Sequence, residues 1–188
     1  MDKKKIRKEN AHHVGLQFGN ESSKNVQEGT KKTIEGMNLF RVKGDSLSNV
    51  GYEQAKGNLF EYIEAAKLQK NMANAGATPF DKFPATDVPA KMGGYGEHTA
   101  PDDFKFQKNG KIIGKGQAKI NNDPHKTAVN FTNPKYSGMQ RNTTADSVES
   151  VKKHLDDMLA KGEVSKSSYN DAINNLEGML TDPESGIT

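Results

Sequence analysis

The sequence predicts an α/β fold: a small mixed β-sheet with flanking helices, ending in a helical hairpin. Three observations carry this. The stretch from Gly51 to about Asn74 has no proline and repeats Ala55, Leu59, Ile63 and Ala66 at helical spacing. Asp103 to Phe106 alternates polar and apolar, and an Asn109-Gly110 turn leads into a second extended run from Ile112 to Ile120, which reads as a β-hairpin. Beyond Asp146, Val148, Val151, Leu155, Met158 and Leu159 form one apolar stripe, Gly162 stands at the helix end, and Ser165 or Ser167 opens a second helix whose stripe is Tyr169, Ala172, Ile173, Leu176 and Leu180.

Residues 1–50 lack sustained periodicity and carry glycines at 15, 19, 29, 36 and 44, so they read as a loosely structured basic arm. The stretch 51–145 holds the predicted core. Between Gly76 and Pro101, four prolines and four glycines predict a loop crossing to the hairpin. Asn121 to Pro134 is polar and turn-rich, with Ala128 to Phe131 as a short strand. Asp146 with Glu149 forms a capping-box start for the hairpin of residues 146–188, an appendage that needs a surface to pack on.

Composition narrows the function classes. Val, Ile, Leu and Phe make up 34 of 188 residues, enough for a modest core with irregular arms. No apolar run reaches the roughly 18 residues a membrane span needs, and the basic start from Lys3 to Lys8 leads into polar residues. A cytoplasmic chain without membrane contact is expected, although delivery by a dedicated secretion route stays open. With no cysteine, thiolate zinc sites, iron-sulfur clusters and cysteine nucleophiles are excluded. No His-x-x-x-His helix, Gly-x-Ser-x-Gly elbow or phosphate loop ending in Gly-Lys-Ser/Thr is present.

Charge is unevenly distributed. Residues 101–141 carry 8 basic and 3 acidic side chains, whereas residues 142–188 carry 4 and 9. A basic segment backed by an acidic tail suits a polyanion-binding surface, though an ordinary solvated surface would read the same way.

Asp103 is followed by Gln117-Ala118-Lys119 on the second hairpin strand. Gln117 and Lys119 are two apart and face one side, and the turn returns Asp103 beside them. A carboxylate, an amide oxygen, an ammonium and the Ala118 carbonyl would converge at one end of the sheet. Oxygen donors of this kind suit Mg2+ or Mn2+, and a nearby lysine can orient water or offset charge on a phosphate. Asp102 competes with Asp103, but alternation favours Asp103 because it buries Phe104 and Phe106 together. Gln117 and Lys119 also fit the plain polar face of an antiparallel strand.

Asp103 and Gln117-Ala-Lys119, preceded by a helix carrying Gly57-x-x-x-Glu61-x-x-x-Ala65 and followed by Asn133-Pro-Lys135-Tyr136-x-Gly-Met139, resemble the PD-(D/E)XK, or restriction-endonuclease-like, nuclease superfamily. The likeness is to its glutamine variant, D…QxK, found in nuclease-like proteins of bacterial mobile elements, and it spans roughly residues 50 to 145. It implies a metal-dependent endonuclease acting on DNA rather than RNA. Asp103, Gln117, the Ala118 carbonyl and Glu61 would hold the ion, Lys119 would assist the attacking water, and Lys135 and Gln140 would contact phosphate. Glu64 competes with Glu61, whose spacing from Gly57 favours it. Two other readings stay open: a noncatalytic nucleic-acid-binding or assembly module, self-associating or part of a larger complex, and the nuclease domain of a toxin or effector. Gln117 leaves the site one negative charge short of the usual acidic pair.

Overall fold

The computed structural model describes the backbone of residues 3–188 and the side chains of residues 20–188. The first two residues and the side chains of the basic start lie outside the described residues. Among the described residues the chain is mixed α/β, with a four-stranded sheet and five α-helices. No helix among them is long and apolar enough to cross a membrane.

The stretch read as a loose arm is instead a single helix, α1, spanning Lys3–Ser46, which turns back through residues 47–51 into α2, Tyr52–Asn74. Two of its glycines misled because they act as contact points rather than breakers. Gly29 and Gly36 are seven residues apart and so share a helix face. A Cβ on Gly36 would lie 2.5 Å from the Ala66 Cβ, so glycine is needed there for the close antiparallel pairing of α1 with α2, and Gly29 sits against the Asn74 side chain. The buried face of α2 is also rotated from the predicted stripe. Tyr62, Ala65, Leu68 and Met72 are buried, whereas Ile63 is 38% exposed.

The hairpin is present as β1, Phe104–Lys108, and β2, Lys111–Ala118, paired antiparallel from Phe104↔Gly116 to Lys108↔Lys111. Asn109 (φ 51°) and Gly110 (φ 75°) both take the left-handed backbone of a type I′ turn, and their N–H groups donate to the Asp81 carboxylate. The predicted strand at residues 128–131 is instead the end of a helix, α3, Pro124–Phe131. Its start is well specified: Pro124 holds the first helical position and the Asp123 side chain accepts from the His125 N–H. Ala128 and Phe131, three apart, are fully buried on one helix face.

β3, Gln140–Asn142, joins β2 in parallel, with Gln117↔Arg141 and Ala118↔Asn142. The C-terminal helices are α4, Val148–Ala160, and α5, Lys166–Asn174. α4 starts without a side-chain cap, so the expected capping box is absent. The second stripe ends early as well. Leu176 lies in β4, Leu176–Glu177, which pairs in parallel with β3, and Leu180 enters the core cluster of α2. The hairpin therefore supplies an edge strand. Val151, Leu155 and Ala172 pack with Ala128, Phe131 and Leu176 into a second apolar cluster.

Residues after β4 fold back as a strap. Leu180 N–H donates to Glu64 Oε2 at 3.4 Å, Gln140 and Thr181 exchange two hydrogen bonds, and Lys108 Nζ meets Asp182 Oδ2 at 2.8 Å.

Candidate metal centre at the end of the hairpin

Asp103 immediately precedes β1, and its N–H donates to the Gly116 carbonyl at 2.9 Å, extending the ladder by one residue. Phe104 and Phe106 are fully buried beneath α2, which by alternation sends Asp103 to the other side of the strand. Gln117 comes from β2 on that same side and is 1% exposed.

The two side chains meet. Gln117 Nε2 donates to Asp103 Oδ2 and also to the Ala118 carbonyl at 3.2 Å, and the Ala118 N–H donates to the same Asp103 oxygen at 2.9 Å. Lys119 Nζ lies 3.8 Å from Asp103 Oδ2, with its backbone fixed by an N–H to the Asn142 carbonyl at 2.9 Å. Gln117 Oε1 is buried and has no hydrogen-bond partner among the described residues. A buried amide oxygen left unpaired costs about 1–3 kcal/mol, so the arrangement leaves one strong acceptor unused beside a carboxylate and a carbonyl.

Glu61 reaches this cluster from α2. It lines a cavity of about 210 Å³ together with Gly57, Asn58, Ala118, Lys119 and Asn121. A Cβ on Gly57 would meet nothing within 4 Å, so that position borders open space one turn before Glu61. Burial pushes the Glu61 carboxyl well above the usual range, and the nearby Asp103 and Asp87 charges push it further. Burial likewise raises Asp103, with Asp87 and Asp102 adding to it while Lys119 and the Ala118 N–H oppose it. Both carboxyls therefore sit where a further positive charge would be stabilising.

The competing acids have other partners. Asp102 is 1% exposed and pairs with Lys115 Nζ at 3.0 Å. Glu64 is 5% exposed, pairs with Lys67 at 2.8 Å and accepts from the strap at Leu180. Of the two phosphate-contact candidates, Gln140 exchanges two hydrogen bonds with the Thr181 backbone, which leaves one amide N–H for a phosphate. Lys135 is exposed, with Nζ 4.7 Å from the Tyr136 ring centre.

Asp87 is the residue that sequence reasoning missed. It sits in the loop before β1, pairs with Lys43 of α1, and keeps a buried Oδ1 without a hydrogen-bond partner among the described residues. Its charge reaches both Glu61 and Asp103. No spacing in the segment around Asp87 marked it, because α1 was not expected to be a helix that could bring Lys43 there.

The basic segment is less exposed than its charge suggests. Of its eight cations, Lys105, Lys108, Lys115, Lys119 and Arg141 are paired with carboxylates, leaving Lys111, Lys126 and Lys135 exposed and without an ion pair among the described residues. No group of three or more His, Asp or Glu side chains suited to a metal ion occurs among the described residues, so any cation here would rely on neutral oxygens as well as carboxylates. No protein-family model, curated protein or solved structure matches this chain.

Proposed function

We propose that the chain is a metal-dependent endonuclease with a restriction-endonuclease-like core, cutting phosphodiester bonds in DNA at the site formed by Glu61, Asp103, Gln117 and Lys119. One observation carries the reading: Gln117 Oε1 is buried and unpartnered while its Nε2 lies against Asp103 Oδ2 and the Ala118 carbonyl. That donor stands where a cation would otherwise satisfy the same two oxygens. A half-turn of the amide would replace the N–H donor with Oε1, giving three oxygen donors, a set suited to Mg2+ or Mn2+.

Asp103, Gln117 and the Ala118 carbonyl would hold the ion, with Glu61 on the facing helix. When bound, it would supply Lewis-acid stabilisation of the phosphate and lower the pKa of water. The protein's own groups supply the rest. Lys119, held near Asp103, places a positive charge where negative charge develops on phosphate oxygens. Glu61, which lines the same cavity as Lys119, would bind the ion or a water on it, and Lys119 would assist the attacking water. Exposed Lys111, Lys126 and Lys135 give a weak, sequence-independent hold on the polyanion, a hold that salt weakens as counterion release dictates.

The reading is tested by incubating the protein with plasmid DNA and with RNA in Mg2+, Mn2+ or EDTA. Nicking of plasmid in either ion and none in EDTA is expected. Lys119→Ala should slow turnover by about a hundredfold, as losing one positioned electrostatic group does, with DNA affinity nearly unchanged. One observation favours a noncatalytic nucleic-acid-binding or assembly module: Gln117 is neutral and its amide already binds Asp103 without an ion. DNA binding with no cleavage in either ion would decide for that module.

A further inference from the structure

The outer face of the α1–α2 pair carries an apolar groove that no other segment covers among the described residues. Its cavity of about 680 Å³ is floored by the Gly36–Ala66 contact and lined by Met37, Phe40 and Ile63. These three side chains are 67%, 37% and 38% exposed, and Ile34, 56% exposed, adjoins them on α1. Ile63 belongs to the one stripe of α2 that the sequence pattern assigned to a core.

The charged side chains that line this groove are basic. Arg41, Lys67 and Lys70 line it, and no carboxylate among the described residues does. Arg41 has only a surface pair with Asp45 at 3.6 Å, both side chains at least 70% exposed, and such a pair offsets little of its charge. Lys67 is tethered to Glu64, which is buried on the core side of α2.

We infer that this groove binds an acidic amphipathic helix of a partner protein, with apolar residues entering over Met37, Phe40 and Ile63 and carboxylates meeting Arg41, Lys67 and Lys70. Two antiparallel helices offer a seam into which a third helix packs through i, i+3 or i+4 and i+7 anchors. The lined part of α1 runs from Thr33 to Arg41 and measures about 13 Å at 1.5 Å per residue, so two to three turns of partner helix would fill it. A second copy of the chain is disfavoured: two-fold pairing through this patch would set the same three cations against one another. Nucleic acid would satisfy the cations but leave the apolar floor exposed.

The test uses the full chain and two fluorescein-labelled helical peptides that share a Leu row at i, i+4 and i+7, flanked by Glu in one and by Lys in the other, with binding followed by anisotropy. The Glu peptide should bind at least tenfold more tightly than the Lys peptide. Met37→Asp should abolish that binding, and the Lys67→Glu, Lys70→Glu double variant should reverse the preference. All three changes are at exposed positions, and circular dichroism checks that the helices are retained. Equal affinity for the two peptides, binding of neither, or a dimer seen by light scattering that Met37→Asp dissolves would overturn the proposal.

Discussion

Asp103→Ala should abolish metal-dependent cleavage, with turnover falling on the order of a thousandfold, the several kcal/mol that a bound cation contributes to a phosphoryl transition state. Asp103 is the carboxylate on which the cluster converges: the Gln117 amide, the Ala118 N–H and Lys119 all lie against its Oδ2. Removing it leaves the Ala118 N–H and the Lys119 ammonium without their acceptor, whereas Asp102→Ala removes an acid whose partner is Lys115. Comparing the two variants on plasmid in Mn2+ separates the site from its neighbour, because only the first should lose activity while both bind DNA alike. An Asp103→Ala protein that still cuts in the metal-dependent manner would remove the site from the mechanism.

Asp182→Ala should destabilise the fold by about 2 kcal/mol, less than the roughly 3–5 kcal/mol of a buried charge left with no partner, because Lys108 keeps Glu184 at 3.2 Å. Asp182 is fully buried and Lys108, 5% exposed at its side chain, lies 2.8 Å away, while Glu184, the other acid near Lys108, is 56% exposed. The same pair sets a pH dependence. Burial alone would raise the Asp182 carboxyl, but the hydrogen bonds from Lys108, Ser185 and the Glu184 N–H outweigh it and hold the pKa below its ordinary value. Stability from this group is therefore complete above its unfolded pKa, near 4, and is lost as pH falls through the lower folded value. Urea melts at pH 7 and pH 3 should show the wild type losing more stability on acidification than Asp182→Ala. An equal loss in both would mean that the strap is not clamped at this pair.

The hairpin and the convergence of Asp103 with Gln117 and Lys119 were legible because both follow from period-two alternation and one Asn-Gly turn, which are local features. The rest depended on partners far away in sequence. Gly29 and Gly36 read as breakers until Asn74 and Ala66 are seen against them, and Ala128 to Phe131 reads as a strand unless the Asp123-Pro124 start is given more weight than β-branched content. Leu176 and Leu180 continued a helical stripe on paper, yet one lies in the edge strand beside Arg141 and the other in the core of α2. Periodicity could not separate these outcomes, since an apolar residue every third or fourth position satisfies either. At the site, Glu61 was preferred over Glu64 on its spacing from Gly57, and Glu61 lines the cavity beside Lys119 while Glu64 ties down the strap. Asp87 shows the converse, a charged group that reaches the site without a motif.

The claim that Asp103 and Gln117 share one cation is tested most directly by calorimetric titration of Mn2+ into the wild type, Asp103→Ala and Gln117→Glu proteins. The account predicts a single site in the wild type, no measurable binding in Asp103→Ala, and binding at least tenfold tighter in Gln117→Glu, where a second carboxylate replaces the neutral amide. Indistinguishable affinities in all three proteins would contradict it.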